Sequence, residues 1–256
     1  MRLRSRKQIT PADCQSFTYG LPLILCHEPW VGVESGCIRR TLLSELLQLS
    51  QLASAIPPRH SRLATTLWWL MLMASGAVAI YAARYFILRI TDLHFSYYLR
   101  PLRLHITGGI GALLAGPWQF SERLRAHALN FHRWLGRFYL LSVATGSIAG
   151  FAMAMVSSEG LPTHLGFGIL AVLWFVTALQ AYRLIRHGDI DAHRRWMIRN
   201  FALSLAAVTL RIELPLMLFA LHWSFHVSYI IVSWLCWGPN IIVAEWIIVR
   251  RQHSLV

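Results

Sequence analysis

Long uncharged apolar runs, repeated along the chain, limit this sequence more than any other feature. No charged residue occurs from Leu63 to Ala83, and comparable runs lie between Arg103 and Glu122, Arg137 and Glu159, and Glu159 and Arg183. A helix of about 20 apolar residues spans the roughly 30 Å of hydrocarbon in a bilayer. After Arg199 a fifth apolar stretch is interrupted by Arg211 and Glu213, and a sixth, from about Val227 to Val249, contains Glu245. Hydrocarbon offers the backbone no hydrogen-bond partners, so such segments must satisfy themselves as helices. The expectation is an all-α integral membrane protein of about six transmembrane helices, with helices two to five forming a four-helix bundle.

Composition supports a lipid environment. Hydrophobic residues make up 56% of the chain and charged residues 14%, and there are 11 tryptophans. Trp68, Trp69, Trp118, Trp134, Trp196, Trp223 and Trp246 fall at span ends, where an apolar ring and a polar N–H are both accommodated. A net charge of +13 might suggest nucleic acid, but the arginines crowd the segments between spans and so report orientation instead. Segments 122–137, 183–199 and 250–251 are arginine-rich, whereas the connections around Glu159 and from His222 to His226 hold no Lys or Arg. The rich segments, the N-terminus with Arg2, Arg4, Arg6 and Lys7, and the C-terminus are expected in the cytoplasm. Residues 84–103, with Arg84, Arg89, Arg100 and Arg103, run against this trend. The chain divides into a cytoplasmic N-terminal extension (1–62), a six-helix transmembrane domain (63–250) and a tail (251–256).

The extension carries Cys14, Cys26 and Cys37 without metal-like spacing and has no apolar run long enough for a signal-peptide core. Leu42, Leu43, Leu46, Leu47, Leu49 and Leu52 allow a short amphipathic helix on the cytoplasmic surface, ended by Pro57 and Pro58. A poorly structured leader, or a start codon assigned too early, is an equal alternative.

Four histidines carry the functional reading. His105, His132, His164 and His193 open the second, third, fourth and fifth apolar helices, so they alternate between membrane faces. His105 and His164 form an expected outer pair, and His132 and His193 an inner pair. Helical bundles hold cofactors between such facing side chains. Two neutral imidazoles make a closed axial set for haem iron, which favours electron transfer. Glycines that would admit a porphyrin follow three of the four: Gly108, Gly109 and Gly111 after His105, Gly136 after His132, and Gly166 and Gly168 after His164. Arg133, Arg137, Arg194 and Arg195, with Arg199, are candidates for propionate contacts. Each feature also has a plain structural explanation. Glycines four apart, such as Gly146 and Gly150, let helices approach closely, and a histidine at a span end is often only interfacial.

Two resemblances bear on these residues. The segments HITGGIGALLAGPWQF, HRWLGRFYL, GFGILAVLWFVTALQA, HRRWMIRNFAL and AAVTLR, from His105 to Arg211, closely resemble a bacterial family of membrane proteins known as domain of unknown function 2306. That resemblance implies a multipass protein of the bacterial inner membrane and assigns no activity. More loosely, His132-Arg-Trp-Leu-Gly136, with Gly150 and Phe151 downstream, is similar to the start of the third helix in the di-haem cytochromes b of the b-561 type. Pro162-Thr-His164 with Gly168 is similar to their fourth helix, and His105 with Gly109 to their second. This likeness implies six spans and histidine ligands paired between helices two and four and between three and five. His193 departs from the pattern, because it sits in an arginine-rich loop.

Charge within the spans requires partners. Arg199 and Glu245 are expected to pair near the inner surface. Arg211 and Glu213, two apart, cannot share a helix face, and Pro215 ends or kinks their helix. Arg211 is open to two roles, an outer haem propionate or a helix-end contact. Pro239 and Asn240 are expected to kink the sixth helix and cap the break. His222 and His226 lack a third metal ligand, and His60, His94, His127, His187 and His253 suit loops or interfaces. No Gly-x-Ser-x-Gly, phosphate-cradling loop or paired carboxylate site supports nucleophilic catalysis.

The sequence therefore predicts a membrane protein holding one or two b-type haems that passes electrons across the bilayer, with a quinone or a periplasmic reductant as possible partner and no nucleic acid. The alternative is a cofactor-free transporter or assembly partner. Orientation is checked by cysteine labelling of Ser158→Cys and Gly188→Cys variants lacking Cys14, Cys26 and Cys37. A membrane-impermeant maleimide applied to intact spheroplasts should label position 158 and spare position 188; the reverse pattern would invert the topology.

Overall fold

The computed structural model describes residues 45, 62–87 and 96–253. The expected amphipathic helix at 41–55, apart from residue 45, and residues 88–95 of the arginine-bearing connection at 84–103 lie outside the described residues. The remainder is α-helical, with no strand among the described residues. The helices are α1 (Arg62–Ile87), α2 (Ser96–Gln119), α3 (Glu122–His127), α4 (Leu129–Met155), α5 (Leu161–Arg186), α6 (Ile190–Ser204), α7 (Ala206–Pro215), α8 (Phe225–Leu235) and α9 (Gly238–His253).

Local chemistry sets the boundaries. Ser121 opens α3 by accepting the Leu124 amide at 3.3 Å, and Asp189 opens α6 by accepting the Ala192 amide at 2.9 Å. Both are side-chain caps on otherwise unpaired N–H groups. Gly160 and Gly188 supply the left-handed backbone, at φ 90° and 83°, that turns the chain between α4, α5 and α6. Pro215 cannot donate to the helical ladder, and α7 passes directly into a π-helical turn, Leu216–Ala220. The break between α8 and α9 falls at Cys236 and Trp237, just ahead of Pro239. Asn240 Nδ2 donates there to the Cys236 carbonyl at 3.0 Å.

Five segments are long and apolar enough to cross a membrane: Thr65–Phe86, Leu129–Met155, Leu161–Arg186, Ile190–Ala220 and Phe225–Gln252. The expected count was about six. The second expected span, α2, is the one not among the five, since its run of glycines, prolines and His105 lowers its own apolarity. It nonetheless lies antiparallel along the full length of α4: His105 meets Gly150, Gly108 meets Gly146, and Gln119 meets Gly136. Neighbours supply the apolar surroundings that its own side chains lack.

The outside of the bundle is as apolar as its inside. Leu70, Met73, Ile80, Leu141, Ile148, Phe219 and Ile242 are each at least 60% exposed, an arrangement that water would penalise and that lipid favours. In the apolar window of α1, 17% of residues are buried, against 39% in α4 and in α5. So α1 lies at the periphery and α4 and α5 at the centre. The core holds Ala112, Ala115, Tyr139, Val143, Trp174, Ala178, Ala181, Met197, Phe201 and Leu203, from α2, α4, α5 and α6.

Packing at α2 and α4 depends on missing side chains. A Cβ on Gly108 would stand 2.5 Å from the Gly146 nitrogen and the Ser142 carbonyl oxygen, both backbone atoms that cannot yield. Gly108→Val should therefore separate these helices and cost on the order of 1–3 kcal/mol or more. Gly76→Ala, where nothing lies within 4 Å of the added carbon, should be neutral. Thermal unfolding in detergent compares the two.

Candidate functional site

A cavity of about 610 Å³ lies within the bundle, walled by α2, α4, α5, α6, α7 and α8. Its lining is mostly apolar, including Leu113, Met153, Phe167, Leu170, Leu203 and Leu210, with His105, Ser147, Glu159, Trp174, Arg211 and Tyr229 as its larger polar members.

His105 is held at its wall by α4. Its Nδ1 lies 2.8 Å from the Gly146 carbonyl oxygen. A carbonyl can only accept, so Nδ1 carries the proton and the neutral ring keeps Nε2 as its basic nitrogen. The ring rests on Gly150, where a Cβ would come within 2.8 Å of Nδ1, and stands edge-on to Trp174 at 6.4 Å between centroids. A backbone carbonyl that fixes the tautomer and orientation of an imidazole is the usual support for a ligating histidine.

The other three histidines are placed differently. His164 opens α5 and its Nε2 donates to the Ser157 carbonyl at 2.7 Å, tying the end of α4 to the start of α5. It is not in the cavity wall. Trp174, which meets His105, is ten residues further along α5, so His164 and His105 stand at different depths. At the arginine-rich end, His193 repeats the arrangement of His105, with Nδ1 donating to the Ala181 carbonyl at 2.8 Å. His132 opens α4 at the same end, and its buried Nδ1 has no partner. Nearby, the Gln119 amide nitrogen is also buried without a partner. Thus His132 and His193 stand at the same end of the bundle, whereas His105 and His164 occupy separate settings.

Arg133, Arg137, Arg194 and Arg195 all sit at the same end as His132 and His193. Arg133, Arg137 and Arg194 are exposed; Arg137 stands over the Trp134 ring at 5.7 Å and Arg194 pairs with Asp191 at 3.3 Å. Arg125 in α3 adds to this crowding, and burial together with the charge of Arg194 holds its guanidinium below its ordinary pKa. Arg199 donates from Nε and Nη2 to the two oxygens of Glu245 at 2.5 and 2.9 Å, a bidentate pair that fixes α6 against α9. At the opposite end, Glu159 accepts from His226 Nδ1 at 2.7 Å, which joins the α4–α5 turn to the start of α8. Among the described residues no group of three or more His, Cys, Asp or Glu could hold a metal ion by itself.

Between the two histidine regions runs a buried polar network that sequence reading missed. Tyr139 donates to Asn200 Oδ1 at 2.6 Å and lies 3.1 Å from Ser204 Oγ, while Trp174 Nε1 donates to Ser204 at 2.8 Å. Asn200 Nδ2 donates to the Trp174 carbonyl and to Thr177 Oγ1, both at 2.8 Å. The signal available in the sequence was an asparagine and a serine one turn apart on an apolar helix, since a polar side chain in hydrocarbon seeks partners.

The model of the family described as "Predicted membrane protein (DUF2306)" matches residues 102–248. This chain belongs to that family. The match contains α4 to α8 in full and most of α2 and α9, and with them every residue of the cavity wall and both histidine regions. The peripheral α1 lies outside it. No curated protein and no solved structure matches the chain.

Tyr139→Phe removes one donor and strands Asn200 Oδ1 in the core, which should cost about 1–3 kcal/mol. Chemical denaturation in detergent, followed by tryptophan fluorescence, should show that loss without a change in membrane insertion.

Proposed function

We propose that this family member is a membrane-embedded b-type haem protein that carries electrons, with one haem at His105 in the cavity and a second between His132 and His193. The observation that carries this reading is His105, an imidazole with its Nδ1–H held by a backbone carbonyl and its ring in the wall of a large apolar cavity. The cavity, about 610 Å³, falls within the roughly 300–1,000 Å³ of cofactor sites. Gly109 and Gly150 leave backbone, not side chain, at the wall beside His105. At the other end, the orphaned Nδ1 of His132 marks a polar atom awaiting a partner.

A bound haem would supply a reversible one-electron couple tuned by its axial ligands and burial. His105 and His193 would each offer Nε2 while the Gly146 and Ala181 carbonyls hold their rings in place. The surrounding leucines and Phe167 make much of the wall apolar, which sharpens the influence of nearby charge. Arg133, Arg137, Arg194 and Arg195 are the propionate contacts proposed for the second haem. His164 donates from Nε2 to the Ser157 carbonyl, so Nδ1 is the nitrogen it would offer to the first site. A quinone is a fitting partner because it exchanges electrons within the bilayer. We place the protein in the bacterial inner membrane with six spans and both termini in the cytoplasm, on the arginine distribution.

Purified protein from haem-replete cells should show a Soret band that shifts on reduction. His105→Ala and His132→Ala should each remove roughly half of the haem, as expected for two independent bis-imidazole or mono-imidazole sites. His164→Ala should leave haem content unchanged if His105 binds alone, and lower it if the two share an iron. A colourless preparation that takes up no added haemin would refute the proposal and favour a cofactor-free transporter or assembly partner.

A further inference from the structure

Arg211 is a cation without an anion among the described residues. It lies on α7 inside an apolar span and lines the cavity. Its Nη1 donates to the Ala207 carbonyl at 2.8 Å, its guanidinium stands 5.7 Å from the centre of the Tyr81 ring, and its Nε is buried with no partner. Among the described residues no carboxylate pairs with it. Glu213 is two residues along, on another face of the helix, with its own Oε2 buried and unpartnered. Glu159, the acidic residue of the cavity wall, is bound to His226. An unpaired guanidinium at membrane depth is costly, and Arg211 and His105 line the same cavity. A cavity so furnished is mostly apolar, with a cation in its wall that no carboxylate of the described residues pairs with.

We infer that the cavity takes a ligand with a carboxylate on an apolar body, and that Arg211 recognises the carboxylate. Planar guanidinium donors match carboxylate geometry and are the stronger for being charged. Two sources supply this chemistry. One is the propionate of the haem proposed above; the other is a free amphiphilic acid drawn from the membrane. The inference rests on Arg211 and shares only its cavity with the haem reading.

The test varies the ligand on the intact full-length protein, so that no variant has to fold for it to succeed. Haemin is compared with its dimethyl ester, and cis-parinaric acid with its methyl ester. In at least one pair, the free acid should bind about tenfold more tightly than the ester, as loss of a charge-assisted contact implies. Arg211→Gln should abolish that preference, and Arg211→Lys should keep part of it. A preference confined to parinaric acid, in a protein that takes up no haemin, upholds the role of Arg211 and removes the haem reading. Haemin that binds equally with and without esterification, together with no preference for parinaric acid, overturns the inference and leaves the haem reading standing. Failure to bind any of the four compounds overturns it also.

Discussion

The close contact of α2 with α4 underlies the rest of the structure. In hydrocarbon, apolar side chains gain nothing by leaving lipid for protein, so helices associate through tight van der Waals packing and hydrogen bonds. Gly108 and Gly146 allow backbone to meet backbone, and Ser142 fills the space beside Gly111. From that contact follow the seat of His105 on Gly150 and its bond to the Gly146 carbonyl. Had α4 carried side chains at these two positions, His105 would have no carbonyl within reach and no ring-wide gap in which to lie.

On the other side of α4, polar groups do the joining. Tyr139, Trp174, Thr177, Asn200 and Ser204 link α4, α5 and α6 through hydrogen bonds in a region where each unmade bond would be expensive. The network sits between the cavity at His105 and the end that holds His132 and His193, so it stiffens the part of the bundle that separates the two regions. Arg199 and Glu245 then fasten α9 to the same helix α6. Glycine contacts, a buried network and one ion pair thus account for the assembly of five helices.

Much of the architecture was readable from hydropathy. Runs without charge located the helices because lipid leaves the backbone no alternative. Pro215 and Pro239 marked interruptions through backbone constraints that are local. The count was harder. Helix α2 is shielded by neighbours and can therefore afford glycine, proline and histidine, which weakens the signal that hydropathy reads. The candidate site was readable only in part. Alternation put His132 and His193 at the arginine-rich end, but it treated every span-opening histidine alike. His164 instead serves the α4–α5 connection, because Ser157 leaves a carbonyl at the end of α4 that its ring can reach. Which nitrogen of a ring meets which carbonyl depends on helix rotation and depth, and neither is written in spacing.

Composition and hydropathy alone determined that the described part of the chain is helical and suited to lipid, since those properties depend on each segment and its solvent. Tertiary packing decided that a cavity forms, that His105 and Arg211 share it, and that Arg211 faces it without a carboxylate. Those outcomes depend on how helices rotate and how closely they approach, which is settled by contacts between residues far apart in the chain.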